Sequence, residues 1–202
     1  MARISAAQRR QDFVKAAVEV IATHGIDGAT TRRIAEQANA NLAMVHYCYD
    51  SKEDLFADVY EFVVGKFRTL AATIDPQATV EETARKILRD TMEYYVESPS
   101  FAISALELIN WARRQHGDRG IELFDRALEG ARSALRAAAG DRPVDDETIN
   151  ELASAIACVS DGFAVGWITY GDRALAEQQM KIADALLESW LAARLGSASI
   201  AG

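Results

Sequence analysis

Cysteine is scarce in this chain of 202 residues, which contains only Cys48 and Cys158. Two cysteines are too few for a disulfide framework, and neither belongs to a Cys-x-x-Cys pair or to a His/Cys cluster of the kind that binds zinc. The sequence therefore predicts no metal site, and the reducing cytoplasm is the compartment that fits best. The N-terminal segment lacks the apolar stretch of a signal peptide, which favours the same location.

Catalytic motifs are missing as well. The three histidines, His24, His46 and His116, form no Glu-x-x-His pair, and the chain has no glycine-rich phosphate loop and no nucleophile elbow. Runs that alternate apolar and polar residues, which would predict a sheet, are absent. We therefore expect an all-α protein that is not an enzyme and needs no cofactor.

Long uncharged apolar runs are absent, with one near exception at residues 152–171. Asp161 lies in the middle of that run, where a charge in lipid costs about 2.5 to 3.5 kcal/mol on insertion scales. A helix buried by protein is a better interpretation than a membrane span, so we expect no membrane partner. Hydrophobic residues make up 50% of the chain, which is enough for a sizeable core.

The net charge of −8 is unusual for a nucleic-acid binder, but the charge is unevenly distributed along the chain. Residues 1–52 hold seven Lys/Arg and five Asp/Glu, a balance of +2, whereas the remainder holds 15 and 25, a balance of −10. A basic N-terminal part attracts phosphates, and an acidic remainder is repelled by them. This asymmetry favours DNA contact through the N-terminal part.

Residues 30–56 contain the most specific pattern in the chain. Thr30 is a good N-cap residue, and an apolar stripe at helical spacing begins at Ile34. Asn39 and Asn41 then indicate a tight turn, because asparagine tolerates the left-handed conformation that ends one helix and starts another. Two short helices joined by such a turn are typical of a helix-turn-helix motif.

The second short helix has an inner and an outer side. Val45 and Tyr49 lie four residues apart and can face inward. Ser51 and Asp54 form a capping box that opens a long helix directly afterwards. The remaining side chains of residues 41–47 are thus left to face a partner.

Together with an N-terminal helix capped by Ser5 and closed at Gly25, the segments ATTRRIA (residues 29–35) and SKEDLF (residues 51–56) resemble the TetR, or tetracycline-repressor-type, family of bacterial transcriptional regulators. The resemblance covers residues 5–67. It implies a three-helix DNA-binding head of residues 1–51, joined to a larger helical body of residues 52–202 that binds an effector and dimerises. Leu42 and Met44 depart from it, since those positions are more often polar in the family.

Specific DNA contacts follow from the resemblance and from the residues. The resemblance implies that Thr31 and Arg32 face the DNA, that Tyr47 meets the phosphate backbone and that Lys52 binds a phosphate. Lys52 also begins a helix, where free N–H groups favour an anion. Leu42 and Met44 suit thymine methyl groups if exposed, and core positions in a shifted helix are the alternative. The full set of predicted DNA contacts is Thr31, Arg32, Asn41, Leu42, Ala43, Met44, His46, Tyr47 and Lys52.

The body is also expected to be helical, which brings the total to about nine helices. Caps are predicted at Thr79 with Glu82, at Ser98 before Pro99, and at Asp145 or Asp146. Breaks between helices are predicted at Pro76, Gly117 with Asp118, residues 140–143, and Gly171 with Asp172.

Small residues spaced by four in residues 154–166 form what we call the small-residue ridge, on which another helix can approach closely. The following helix carries an apolar stripe. The two helices predict the face of a homodimer, because a helix-turn-helix that reads an operator usually needs a twofold partner; packing within one chain is the alternative. The residues predicted for this face are Ser154, Cys158, Gly162, Gly166, Ile182, Leu186 and Trp190.

No motif identifies the effector. Aromatic rings beside a carboxylate suit a cationic ligand, and a core or surface position is the alternative for each candidate. The candidates on body helices are Tyr94, Tyr95, Phe101, Glu107, Trp111, Asp161 and Trp167.

We interpret the chain as a ligand-responsive dimeric transcriptional regulator. As a repressor it would bind a palindromic operator in double-stranded DNA and be released by an unknown small molecule. A helical enzyme and a protein-binding adaptor are the alternatives.

Overall fold

The computed structural model describes residues 5–72, 75, 77–114, 119–140 and 144–195. Within these residues the chain forms nine α-helices and no strand, which confirms the all-α prediction and the expected number of helices. They are α1 (Ala6–Gly28), α2 (Thr31–Gln37), α3 (Leu42–Cys48), α4 (Lys52–Ala72), α5 (Val80–Glu97), α6 (Pro99–Arg114), α7 (Arg119–Ala139), α8 (Asp146–Tyr170) and α9 (Arg173–Arg194).

The helices begin at the predicted caps. The Ser5 hydroxyl accepts the Gln8 N–H at the start of α1, and Thr79 with Glu82 forms a reciprocal capping box at the start of α5. Helix α6 begins at Pro99, the position at which a missing N–H costs least. Asp145 caps α8, and Gly171 with Asp172 separates α8 from α9. The predicted breaks at Pro76, at Gly117 with Asp118, and at residues 141–143 lie outside the described residues.

Helix α1 is interrupted at Gly25, where its end was predicted. The backbone there has φ 67° and ψ 170°, a conformation that glycine adopts without a steric penalty. A final turn follows and buries Ile26, which is 2% exposed. This turn anchors the connection to α2.

By the packing of Cα atoms the chain divides into two compact units. The first consists of Met1–Gly65 and Pro99–Leu123. In it α1 packs against α2, α3 and α6 and buries Phe13 and Ile21 completely. The Ser104 hydroxyl of α6 donates a hydrogen bond of 2.8 Å to the Val18 carbonyl of α1. This first unit contains the predicted DNA-binding helices.

The second unit consists of Lys66–Ser98 and Phe124–Gly202. In it α5 packs against both α8 and α9, which also pack against each other. Two ion pairs join α5 to α9, Arg85 with Glu188 and Arg89 with Asp184. These units follow packing, whereas the division into residues 1–51 and 52–202 is a functional one and stays a prediction.

Candidate nucleic-acid interface

Helices α2 and α3 and the turn between them have the predicted local geometry. The Thr30 hydroxyl accepts the Arg33 N–H at 3.2 Å and so caps α2. Asn39 in the turn has φ 50°, the left-handed conformation that its side chain was expected to allow. Ile34 and Ala35 on α2 are buried at 0% and 2% exposure, which fixes α2 on α1.

Helix α3 is capped by Asn41, a residue that the sequence predicts to lie in the turn and to contact DNA. The Asn41 side-chain oxygen accepts the Met44 N–H at 2.8 Å. Its Oδ1 is therefore engaged within α3, and the Nδ2 group remains as a donor. Asparagine is a favoured N-cap residue, and its place directly before the first residue of α3 is the sequence signal that would have revealed this cap.

The outer side of α3 is exposed. Leu42 is 39% exposed, Met44 37% and Tyr47 78%, while Ala43 and His46 are exposed beside them. The alternative in which Leu42 and Met44 are core residues therefore does not hold for this chain. Apolar, aromatic and imidazole groups on one short helix can contact thymine methyl groups and the edges of bases.

Three cationic side chains lie on α2 and at the start of α4. Arg32 is exposed and pairs with Glu36 one turn along α2, at 3.1 Å. Arg33 instead donates to the Gly28 carbonyl at 2.8 Å and so satisfies the end of α1. The half-buried Lys52 ammonium lies 3.5 Å from the Ile26 carbonyl oxygen, at the start of α4. Thr31 is half-buried at the start of α2.

The residues predicted for the dimer face differ in exposure. Ser154, Cys158 and Gly162 on α8 are exposed, and Ile182 and Leu186 on α9 are 52% and 57% exposed. Half-buried positions are occupied by Gly166 and Trp190. An apolar strip on two packed helices is therefore open to a partner.

The predicted effector residues of the first unit take part in its packing. Phe101 is 2% exposed, and its ring centroid lies 6.3 Å from that of Phe62. Trp111 is half-buried and meets Phe56 edge to face at 5.9 Å. Glu107 is also half-buried. Both aromatic residues therefore have a packing role whether or not they touch a ligand.

The aromatic candidates of the second unit are packed too. Tyr95 is 2% exposed and lies 6.3 Å from Phe67, centroid to centroid. The Lys66 ammonium is 4.0 Å from the centroid of the Tyr94 ring, a cation–π contact. Trp167 is half-buried on α8.

Asp161 is the ionisable candidate of the second unit. It is half-buried on α8, and burial raises the pKa of its carboxyl group to about 6. Burial, and after it the charge of Asp161, raises the pKa of the Tyr95 hydroxyl. Such a partly desolvated carboxylate gains stability from a cation placed beside it.

The N-terminal residues match a known family. The family profile described as bacterial regulatory proteins, tetR family, matches residues 13–59. A nicotine-responsive HTH-type transcriptional repressor, HdnoR of Paenarthrobacter nicotinovorans, is 29% identical over 163 residues, which are 79% of this chain and 84% of that protein. The HTH-type transcriptional repressor NicS of Pseudomonas putida is 31% identical over 122 residues, 60% of this chain and 56% of that protein.

Residues 13–59 of the chain therefore match the tetR family of bacterial regulatory proteins.

Solved structures of other regulators share the fold of this chain. The fatty acid degradation regulator FadR of Bacillus halodurans matches with a TM-score of 0.70 at 20% identity, over 89% of this chain and 94% of that one. The Bacillus subtilis FadR, solved with stearoyl-CoA, matches with a TM-score of 0.65 at 20% identity, over 86% and 96%. The family and its curated relatives are transcriptional regulators, which confirms the prediction that the chain is not an enzyme.

The second unit contains a long apolar helix and a cavity. Among the described residues one helix, α8, is long and apolar enough to cross a membrane, a property shared by core helices of soluble proteins. A cavity of about 560 Å³ lies between α4, α5 and α7, and the predicted effector residues are not among those that line it. The lining residues are Arg68, Ala71, Ala72, Asp75, Thr83, Glu129, Gly130, Ser133, Ala134, Ala137 and Ala138.

Proposed function

We propose that the protein is a dimeric, ligand-responsive transcriptional repressor that reads a palindromic operator through α3. The observation that carries this proposal is the outer side of α3, where Leu42, Met44 and Tyr47 are exposed while Val45 is 1% exposed. A helix that hides one residue and presents large side chains to solvent needs a partner for them. In a chain with tetR-family helices that partner is the major groove of DNA.

Dimer formation through α8 and α9 is supported by the exposed strip described above. Ile182 and Leu186 of α9 place two large apolar side chains in solvent, and Gly162 of α8, where an added Cβ would meet nothing within 4 Å, leaves space for a second helix. Two chains related by a twofold axis would present two α3 helices to half-sites about one helical turn apart, or a multiple of it. The operator is therefore an imperfect palindrome.

The effector is proposed to be a small cation. Support comes from the half-buried Asp161 carboxylate beside Tyr95 and from the nicotine-responsive relative of Paenarthrobacter nicotinovorans. Nicotine carries an amine that is protonated near neutral pH, so it has the charge that Asp161 would bind. We take nicotine as the first probe, and Asp161→Asn as the variant that should lose the response.

Mobility-shift assays test the proposal directly. The wild-type protein is first used to select duplexes from a random pool and from the DNA that flanks its own gene. A recovered palindrome that is bound tightly, and released by nicotine or another amine, supports the proposal in full. Failure to enrich any sequence would favour the adaptor alternative. Because a repressor works where the chromosome lies, the cytoplasm is the proposed location.

A further inference from the structure

Helix α3 has little apolar burial of its own to hold it in place. It spans seven residues, Leu42–Cys48, and Val45 is the buried residue among them. Helices this short are marginal without tertiary contacts. Its position on the head must therefore depend on groups at its ends.

Tyr49, directly after α3, supplies the strongest of these contacts. It is 4% exposed, and its ring meets Phe13 of α1 edge to face at 6.5 Å between centroids. The Arg10 guanidinium lies 4.6 Å from the centroid of the same ring. The Tyr49 backbone N–H donates to the Val45 carbonyl at 2.9 Å, so a movement of Tyr49 also moves the end of α3.

The Tyr49 hydroxyl and the Arg10 side chain converge on one atom of α4. The hydroxyl donates to Oδ2 of Asp58 at 2.9 Å, and Arg10 Nε donates to the same oxygen at 3.1 Å. One carboxylate oxygen thus joins α1, the end of α3 and α4. Hydrogen bonds to a charged acceptor are among the stronger ones in proteins.

We propose that Tyr49, through Asp58 and Arg10, is a positioning residue that holds α3 in register with α1 and α4 for DNA reading. The inference rests on the proposed function, because it concerns the accuracy with which α3 reaches the bases. Productive recognition needs side chains held to within roughly 0.5 Å by the residues behind them. Apolar packing at Val45 is not directional and allows α3 to shift along α1 and α4. The hydrogen bond from the Tyr49 hydroxyl to Asp58 is directional and opposes that shift.

The variant Tyr49→Phe isolates this contact. It keeps the ring between Phe13 and Arg10 and leaves Asp58 paired with Arg10, so the core and the ion pair remain. The variant loses the hydroxyl's bond to Asp58 and its longer contact, 3.4 Å, with the Arg10 carbonyl of α1. A suitable control is Ser104→Ala, which removes a buried hydroxyl that bonds α6 to α1 at 2.8 Å, away from α3.

The first test compares two affinities of each variant: for the duplex selected by the wild-type protein, and for a scrambled duplex of equal length. Tyr49→Phe should weaken binding of the selected duplex about tenfold and change binding of the scrambled duplex little. Loss of folded protein would lower both affinities by the same factor. The control Ser104→Ala should lower them by the same factor or leave them unchanged. An unchanged ratio of the two affinities in Tyr49→Phe would overturn the inference.

The second test needs no DNA. Amide hydrogen exchange of residues 46–49 should speed up about tenfold in Tyr49→Phe, while exchange within α2 stays as in the wild type. Unchanged exchange in α3 would count against the positioning role. If the wild-type protein enriches no duplex, the proposed function fails, and the exchange measurement alone still decides whether Tyr49 fixes α3.

Discussion

Gly166 of α8 lies directly beneath the side-chain amide of Gln179 of α9. A Cβ added to this glycine would be 3.0 Å from both amide atoms, so a larger residue here would push aside the end of the Gln179 side chain. Gly162, one turn earlier, is different: a Cβ there would meet no atom of the described chain outside its own helix within 4 Å. The small-residue ridge therefore turns from the inside of the chain at Gly166 to its surface at Gly162.

We predict that Gly162→Leu separates the dimer without unfolding the chain. The new side chain has free space in the single chain, whereas overpacking of a tight contact between two helices costs typically about 1 to 3 kcal/mol and is met on both sides of a twofold axis. Analytical ultracentrifugation should show a shift from dimer to monomer, and circular dichroism should be unchanged. Binding to the palindrome should fall with the dimer.

The control for added bulk is Glu177→Leu. Glu177 is exposed on α9 and lies roughly 140° around that helix from Ile182. The Glu177→Leu protein should remain dimeric. A folded Gly162→Leu protein that sediments as a stable dimer would place the interface elsewhere.

Lys52 should contribute to DNA affinity without regard to sequence. Its ammonium is held at the start of α4 by the Ile26 carbonyl at 3.5 Å and by the Phe56 ring at 4.8 Å, so little side-chain entropy is lost when a phosphate binds. Lys52→Ala should weaken selected and scrambled duplexes alike and lower the slope of log K against log salt by about one unit. Lys181→Ala removes one charge from an exposed position of α9 and should leave the slope as it is. The same slope in both variants would remove Lys52 from the interface.

Leu42 and Met44 are predicted to recognise thymine methyl groups. Each is exposed by more than a third, at 39% and 37%, and they flank Ala43 on the outer side of α3. Replacing a recognised thymine by uracil in the selected duplex should weaken the wild-type protein, but not the alanine variant of the residue that touches that methyl group. Equal losses in the wild type and in both alanine variants would show that the methyl group is read by another residue.

Asp161 should make stability fall as the pH rises. Its pKa is about 6 in the folded chain, against 3.8 for an ordinary aspartate. The native state therefore binds the proton more tightly than the unfolded state does. The resulting stabilisation is full below about pH 4 and is lost as the pH rises through about 6. Relative to Asp161→Asn, the unfolding free energy of the wild type should drop by about 1 to 3 kcal/mol between these limits.

Urea denaturation of both proteins at several pH values measures this difference. Glu177→Gln, which removes a negative charge from the surface of α9, is the control for a general effect of charge. If the difference in unfolding free energy between the wild type and Asp161→Asn stays constant at all pH values, the carboxyl group is better solvated than its position on α8 suggests.

The ends of the helices were predictable because the chemistry that sets them is local. Thr30, Asn39 and Thr79 each act on backbone groups within three or four residues, so the sequence contains the whole interaction. The inward position of Val45 was predictable for the same reason, since helical spacing decides it. Tyr49 was predicted to face inward from the same spacing, although it follows the helix with an extended backbone, φ −140° and ψ 131°. Their exposures of 1% and 4% confirm that prediction.

Contacts between distant residues were not predictable. Tyr49 meets Arg10, 39 residues away, and the Tyr49 hydroxyl bonds to Asp58 across the junction of two helices. Neither pairing leaves a periodic signal. The aromatic candidates show the same limit, because Tyr95 and Phe101, each 2% exposed, have the composition of a pocket and the burial of a core. A pocket residue differs from a core residue in the direction of its side chain, and only the packed structure shows that direction.

The division of labour within residues 41–49 has an evolutionary consequence. Val45 and Tyr49 hold α3 to the core, while Leu42, Ala43, Met44, His46 and Tyr47 are exposed. Substitutions at exposed positions usually change stability by no more than about 0.5 kcal/mol. On the proposed function, descendants of this gene can therefore acquire new operator sequences by mutating the outer side of α3, one residue at a time, with little loss of stability. Duplicated copies of the gene would be expected to diverge first at these positions and last at Val45 and Tyr49.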